Sequence, residues 1–357
     1  MTDSVKYTEA HFDAKASRYQ AALRSSPYSR NLELLPFLLA INNLIYNEPQ
    51  KLVVADLLCG GGYLTSSVKG LFRQCYGVDV SAGMLSYYPV SPGVKRIKSS
   101  LDKQSAILTN QIKPNIILSL AGIHHIYEIV DGEVYQEQSE ALQETVILGW
   151  ARSLTENGFM VIADVTKPDI PPVFPGKAVE LESRNVLITE RLKQLVEPLA
   201  RITHDFDLFN ENIPKTFAEY SNRLLAKLPT VAKSQPGLWF RNIVAERGIY
   251  GHIDYFLNAP KICETLIGNG FDVQFYELPT PWIFNSLESF LYFFYEKFGF
   301  GPQVDSFDEI PTNIRLMIKT ECENYLGITN LKGGAVSVGW RLGYYIVRKP
   351  VKISDEP

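Results

Sequence analysis

Three consecutive glycines, Gly60, Gly61 and Gly62, follow a short apolar run from Leu52 to Leu58. A second apolar run, Cys75 to Val80, reaches an acid, Asp79, 19 residues after Gly60. Glycines let a backbone approach a ligand closely, and a helix starting at such a turn offers free N–H groups. A carboxylate ending the next strand can accept both hydrogens of a ribose diol. In the order strand, turn, helix, strand, acid, these features point to a nucleoside-type site. The alternative is that Asp79 only caps the helix beginning near Ser81. A phosphate-cradling loop would need GxGxxG, but these glycines are consecutive and position 58 is Leu. No GK[ST] follows, so a Walker loop is absent.

A pair of histidines, His124-His125, follows the β-branched run Asn115 to Leu120. A neutral imidazole is suited to take a proton from a hydroxyl or amine. Asp164, at the end of the run Phe159 to Val165, can orient one ring. Equally, both rings can do no more than hydrogen-bond the turn. A metal set of His124, His125, Glu128 and Asp131 is a poorer reading, since adjacent residues seldom both face one ion. Arg24, Arg30, Arg184, Arg223 and Arg241 could each hold a carboxylate or phosphate bidentately, but single arginines are usually solvated. His252 is more simply read as packed than as facing a crevice.

These residues need a scaffold, and the pattern supplies one. Residues 1–50 read as amphipathic helix ending near Asn47-Glu48-Pro49. Strands are expected at Leu52–Leu58, Cys75–Val80, Val94–Ile97, Asn115–Leu120 and Phe159–Val165, with a helix opened by the glycine turn that includes Val68 to Phe72, and a second over Ser81–Tyr88, between them. Leu142, Val146, Trp150 and Leu154 recur every four residues, marking one helix face that stops at Asn157-Gly158. Uniformly apolar strands alternating with helices predict a parallel sheet covered on both faces. The rhythm breaks at Lys167, where Lys167 to Lys177 holds four prolines. Helical patterning follows through residue 250. Asn258 then predicts an N-cap for a helix to Ile267, with Gly270 as its stop. Phe271–Leu278 reads as a sixth strand, and 285–298 as an aromatic helix with a capping box at Asn285 and Glu288. Val336 to Ile346 alternates, which predicts one long antiparallel strand with unlike faces near the sheet edge. The expected organisation is an N-terminal helical segment (1–50), an α/β core (51–166 and 255–350) and a helical insertion (167–254). An insertion of that length after a strand's C-terminal end usually covers a ligand crevice. Nine aromatic residues between Trp282 and Phe300 line an apolar pocket or glue the insertion to the core; the pattern allows both.

Composition narrows the function. The 357 residues are 46% hydrophobic and 21% charged, with a formal net charge of -4, so a packed core is expected and disorder is not. No basic stripe points to nucleic acid. No apolar run reaches the ~18 residues of a membrane span. Met1 to Ala10 is polar, without the apolar centre of a secretory leader. The four cysteines, Cys59, Cys75, Cys263 and Cys322, show no CxxC spacing, so neither zinc knuckle nor disulfide framework is expected and a reducing cytoplasm is the default compartment.

The residues around the glycine turn resemble the class I S-adenosylmethionine-dependent methyltransferases of small-molecule type. Asp56 to Gly62 is similar to their first motif, D-x-G-x-G-x-G, with Leu58 in place of the first glycine. Gly77 to Leu85 is similar to the second, whose acid holds the ribose and whose methionine, here Met84, flanks adenine. Pro114 to Ile126 resembles the fourth motif, and Leu154 to Asp164 the fifth-strand motif with its NG turn. His11-Phe12-Asp13 through Tyr19 resembles the segment that closes over the cofactor. The family's acid after the third strand is missing: Ser99, Ser100 and Leu101 stand there, which leaves adenine N6 to Ser100 or a backbone carbonyl.

The resemblance covers about residues 10–165 and 255–348. It implies an α/β, Rossmann-like methyltransferase sheet, mostly parallel with an antiparallel last strand, and S-adenosyl-L-methionine as cofactor. Cofactor contacts would come from Tyr19, Asp56, Cys59, Gly60, Gly62, Asp79, Val80, Met84, Ser100, Leu101 and Leu120. Catalytic work would fall to His124 or His125, with Asp164 behind them. The implied partner is a small apolar or aromatic acceptor methylated on O, N or C, in secondary metabolism; neither nucleic acid nor membrane is expected, and a homodimer is left open. Rivals are a cyclase or isomerase on the same fold, a cofactor-binding module without catalysis, and a nicotinamide oxidoreductase, the last weakened by the missing GxGxxG.

Overall fold

The computed structural model describes residues 3–45, 48–130, 133–167, 185–204, 214, 216–249 and 255–350. Asp131, Arg184, His252 and the proline-rich stretch beyond Lys167 lie outside them. Strands β1 (Val53–Leu57), β2 (Gln74–Asp79), β3 (Val94–Lys98), β4 (Ile116–Leu120), β5 (Phe159–Asp164), β6 (Asp272–Pro279) and β10 (Arg341–Arg348) form one seven-stranded sheet in the order β3-β2-β1-β4-β5-β10-β6. The pairs β1–β2, β1–β4, β2–β3 and β4–β5 are parallel; β10 runs antiparallel to both neighbours. Every residue of β1 and β5 is buried. Val54 belongs to the apolar cluster on one face of the sheet, while Val53, Ala55 and Leu57 belong to the cluster on the other. A strand buried on both faces must be apolar at every position, which is why these runs do not alternate.

Strand order reverses between β1 and β4, and at such a reversal the loops after the two strands part to leave a crevice. Here those loops carry the glycine turn and the paired histidines. Helix α1 (Asp3–Ser25) lies over the crevice, and α2 (Asn31–Leu44) packs into the sheet, buried along almost its whole length. Around the sheet lie α3 (Tyr63–Val68), α4 (Ala82–Ser86), α5 (Leu101–Ile107), α6 (Gln136–Arg152) and, from the second half of the chain, α9 (Ala259–Gly268). Asn258 caps α9 through Lys261 N at 3.4 Å. The chain leaves the sheet after β5 and comes back beside it, where Thr166 bridges Leu257. Between these points α7 (Val186–Thr203) and α8 (Phe217–Lys227) turn apolar stripes inward. Asn31 Nδ2 donates to Leu195 O at 2.8 Å, tying α2 to α7. Helices α10 (Leu287–Phe298) and α11 (Thr312–Tyr325) complete the chain.

Four expectations are corrected. The helix after the glycine turn is Tyr63–Val68, N-capped by Gly62 with φ 78 and ended at Lys69, so Leu71 and Phe72 do not belong to it. The capping box of α10 is Ser286 and Ser289, one residue later than Asn285 and Glu288: each hydroxyl accepts the other residue's N–H, at 3.1 and 3.0 Å. Val336–Ile346 is two strands. Val336–Val338 (β9) joins Trp282–Phe284 (β7) and Ile328–Asn330 (β8) in a separate three-stranded sheet, β8-β9-β7. The chain breaks at Gly339, where a Cβ would lie 2.0 Å from the Leu326 carbonyl oxygen. Beyond it, Leu342 to Val347 of β10 is buried at every position, since neighbouring strands and both helix layers cover it.

Candidate active site

Asp79 ends β2 with its carboxylate turned into the crevice and only 8% of the residue exposed. One oxygen accepts Gly60 N–H at 2.8 Å and the other accepts Ser81 N–H at 2.9 Å. Burial raises its pKa, while these N–H groups work in the opposite direction. Each oxygen keeps a further lone pair for a ligand hydroxyl. The glycine turn thus positions the acid as well as making room.

Asp56 serves the scaffold more directly. Its Oδ2 accepts Thr65 Oγ1–H at 2.6 Å and Thr65 N–H at 3.1 Å, fixing α3 beneath the turn. Burial pushes its pKa up to about 7 despite both bonds. Ser81 caps α4 through Met84 N–H at 3.0 Å and donates its own hydroxyl to Asp13 Oδ1 at 2.6 Å. The same Asp13 oxygen accepts Gly83 N–H at 2.7 Å, so α1 is clamped across the crevice.

One turn along α5 from Leu101, which also lines the cavity, lies Gln104. It is 1% exposed, and neither its carboxamide nitrogen nor its oxygen finds a hydrogen-bond partner. Buried amides are ordinarily paired, so two orphaned atoms facing a cavity mark a place for a ligand with one donor and one acceptor.

On the opposite side of the reversal, His124 and Asp164 form a buried pair: Nδ1 lies 2.6 Å from Asp164 Oδ1. Asp164 also accepts Ile123 N–H at 2.7 Å, His124 N–H at 3.2 Å and Val165 N–H at 2.7 Å. With the carboxylate ionised, Nδ1 is the donor and Nε2 is left as the basic nitrogen. The ring centroids of His124 and His125 are 4.0 Å apart, and Phe12 meets His125 edge-on at 4.7 Å.

A charged group that the sequence did not assemble lines the far wall. Glu33 accepts Arg30 through Nε at 2.7 Å and Nη2 at 2.6 Å, and its other oxygen accepts Trp282 Nε1–H at 2.6 Å. Arg30 Nη1 donates to Tyr19 OH at 2.6 Å. Lys15 and Lys297 complete this wall, followed by Phe240, Phe298 and Trp340. Desolvation, aided by Lys297 and Arg18, lowers the Lys15 pKa to about 7.

Of the residues singled out from sequence, Asp56, Cys59, Gly60, Asp79, Val80 and Met84 border one cavity. Tyr19, Leu101, Leu120, His124 and His125 border it too. Gly62, Ser100 and Asp164 do not. Gly62 supplies the left-handed turn into α3, Ser100 precedes the first turn of α5, and Asp164 stands behind His124. Gln104, Lys15, Glu33 and Lys297 were not foreseen. Gln104 sits one helical turn after Leu101, a spacing that could have flagged it; the others meet only through tertiary packing. Of the nine aromatic residues from Trp282 to Phe300, only Trp282 and Phe298 reach the cavity, and most of the rest fill the core. Among the described residues no three His, Cys, Asp or Glu side chains are grouped to hold a metal. No described helix is long and apolar enough to cross a membrane.

No protein-family model matches the chain, and no curated protein matches its sequence. Among solved structures this chain is distantly similar to several. A SAM-dependent methyltransferase from Anabaena variabilis is 11% identical with a TM-score of 0.45, covering 98% of this chain and 96% of that one. The YcgJ protein from Bacillus subtilis is 12% identical with a TM-score of 0.42, covering 89% and 98%. The plantazolicin methyltransferase BamL, solved with a triazolic desmethyl analogue and S-adenosylhomocysteine, is 12% identical with a TM-score of 0.39, covering 97% of each chain. The strand order and the single antiparallel strand beside the last position form a mostly parallel, Rossmann-like α/β sheet, the arrangement that the motif resemblance implies.

Proposed function

We propose that this protein transfers a methyl group from S-adenosylmethionine to a small molecule held in the same cavity. The observation that carries the reading is Asp79, buried at the end of β2 with Gly60 N–H on its carboxylate, sharing one cavity with His124. When bound, the cofactor would supply an electrophilic methyl on a positively charged sulfur. Asp79 would accept the ribose hydroxyls. The base would then extend past the end of β3 toward Leu101 and Gln104. Adenine offers an acceptor at N1 and a donor at N6, which is the pairing the orphaned Gln104 carboxamide lacks. Gln104 would therefore stand in for the family's missing acid.

The acceptor would occupy the other end, between the histidines and the aromatic wall of Phe240, Trp282 and Trp340. His124 would take the proton from the attacking hydroxyl or amine through Nε2, with Asp164 holding the ring and compensating its charge. Alignment of nucleophile and methyl contributes more than the base, and the enclosing walls supply that alignment. The inserted helices, whose Phe240 faces the cavity, would act as a lid over an acceptor of secondary metabolism.

Calorimetry with S-adenosylhomocysteine tests the cofactor site. Micromolar binding is expected, weakened about a hundredfold by Asp79→Ala through loss of two charge-assisted hydrogen bonds. Equal affinity in the variant removes the ribose assignment. Release of S-adenosylhomocysteine together with a methylated product then separates transfer from cyclisation.

A further inference from the structure

We propose that the acceptor is anionic: an apolar or aromatic body bearing a carboxylate held between Lys15 and Lys297. The proposal rests on the methyltransferase reading of this cavity and names its substrate class. Lys15 on α1 and Lys297 on α10 both line the cavity wall. Lys15 is 5% exposed. Among the described residues, no carboxylate pairs with either ammonium. Glu33, which lines the same wall and acts on Lys297 only through space, has both oxygens committed, one to Arg30 and one to Trp282. The other buried carboxylate nearby, Glu296, is taken by Arg18 at 2.8 Å. Lys297 Nζ sits 4.4 Å from the Tyr19 ring centroid, 5.4 Å from Trp282 and 5.5 Å from Phe298. Aromatic faces attract an ammonium but leave its charge in place.

Charge arithmetic gives the sign of the ligand. On this wall Lys15, Arg30 and Lys297 have Glu33 as their counter-charge, a local excess of two positive charges when all are ionised; the cavity's other carboxylates, Asp56 and Asp79, stand at the far end, held by Thr65 and by Gly60 and Ser81 N–H. The cofactor does not remove that excess, because its amine and carboxylate cancel and its sulfonium adds a positive charge. Burying unpaired ammonium groups is costly, and such groups retained in a cleft mark functional sites. Burial pushes the Lys15 pKa to about 7 and holds that of Lys297 well below its ordinary value. An anion between them reverses both shifts, so its binding draws protons onto the lysines. The other titratable or charged groups facing this wall are Arg18 and Glu296, which pair together, and Tyr19, Arg30, Glu33 and Tyr63.

The test is calorimetry on the full chain with 2-naphthoate and its neutral counterpart 2-naphthamide, with and without saturating S-adenosylhomocysteine. The carboxylate is expected to bind at least tenfold tighter than the amide. Its binding should take up protons near neutral pH, seen as a heat that varies with buffer ionisation enthalpy. Lys15→Met with Lys297→Met should abolish the preference while S-adenosylhomocysteine binds as before. Lys15→Gln with Lys297→Gln repeats the measurement should the methionine pair fail to fold. Equal binding of naphthoate and naphthamide to the wild-type chain overturns the proposal, and needs no variant. A preference that survives loss of both lysines overturns it as well. So does a tenfold loss of S-adenosylhomocysteine affinity with the preference intact, which would assign the lysines to the cofactor's own carboxylate. Failure of S-adenosylhomocysteine to bind the wild-type chain sinks the methyltransferase reading instead, and the naphthoate preference is scored separately in its absence.

Discussion

Leu58 holds a left-handed backbone, φ 54, and its side chain lies where Gly122 leaves room: a Cβ added to Gly122 would come 2.7 Å from Leu58 Cβ. The position where the family's first motif has glycine carries a leucine here, and a glycine on the facing turn makes space for it. Gly122 itself has φ -127, so alanine there is allowed by the backbone and opposed only by Leu58.

Gly122→Ala should therefore destabilise the fold by about 1–3 kcal/mol through overpacking. Leu58→Gly should change stability little, because relief of about 1 kcal/mol of left-handed strain offsets the lost packing. In Leu58→Gly the Gly122→Ala substitution should become nearly silent. Urea unfolding of the four proteins measures the coupling; strictly additive effects would mean the two residues do not constrain each other.

Gln104→Leu should separate stability from binding. Removing two orphaned buried polar atoms should stabilise the ligand-free chain by about 1 kcal/mol. The same change should weaken S-adenosylhomocysteine about tenfold, the equivalent of one or two neutral hydrogen bonds. An analogue dimethylated at N6 should lose affinity against the wild type but bind the leucine variant no worse than the parent compound. Unchanged affinity in Gln104→Leu would remove the adenine assignment.

The His124–Asp164 pair predicts a fixed tautomer. Nitrogen NMR of the imidazoles should show His124 protonated at Nδ1, and Asp164→Asn should lose that signature. With an acceptor in hand, His124→Ala should slow transfer about 10²–10⁴-fold while S-adenosylhomocysteine affinity holds. Full turnover in His124→Ala would leave the pair a purely structural anchor for the turn at Ile123–His125.

Asp56 gives a pH dependence with a definite sign. Its folded pKa, about 7, exceeds the ordinary 3.8, so the folded state keeps a proton that the unfolded chain releases. The stability it contributes is complete below about pH 4 and is lost as pH rises through about 7, at up to about 1.4 kcal/mol per pH unit. Asp56→Asn should lack this fall. Urea unfolding at pH 5 and pH 8 should show the variant gaining on the wild type at the higher pH; parallel curves would show that Thr65 alone keeps the carboxylate charged.

Local rules sufficed for much of the scaffold. β1, β4 and β5 were readable because parallel strands buried on both faces must be almost continuously apolar, and Asn258 was readable because a helix start needs a side-chain acceptor. The glycine turn and Asp79 were readable for the same reason: neighbours in sequence, on consecutive elements, are brought together by connectivity alone. The strand from Val336 onward misled, since alternation records side-chain direction and not which sheet covers each face. The choice of Ser286 over Asn285 as cap turned on a one-residue shift that residue preferences do not resolve.

The chain's linear order thus determined the sheet, the turn and the acid that border one crevice. Packing decided the rest. Glu33 and Trp282 are 249 positions apart yet share a hydrogen bond, and Lys15 meets Lys297 only because α1 crosses α10. No periodicity encodes such meetings, because a side chain's charge and burial depend on what distant segments bring against it. That is why the end of the cavity at the glycine turn and Asp79 could be read from residue types, whereas the charge of the wall at Lys15 and Lys297 emerged only from the folded chain.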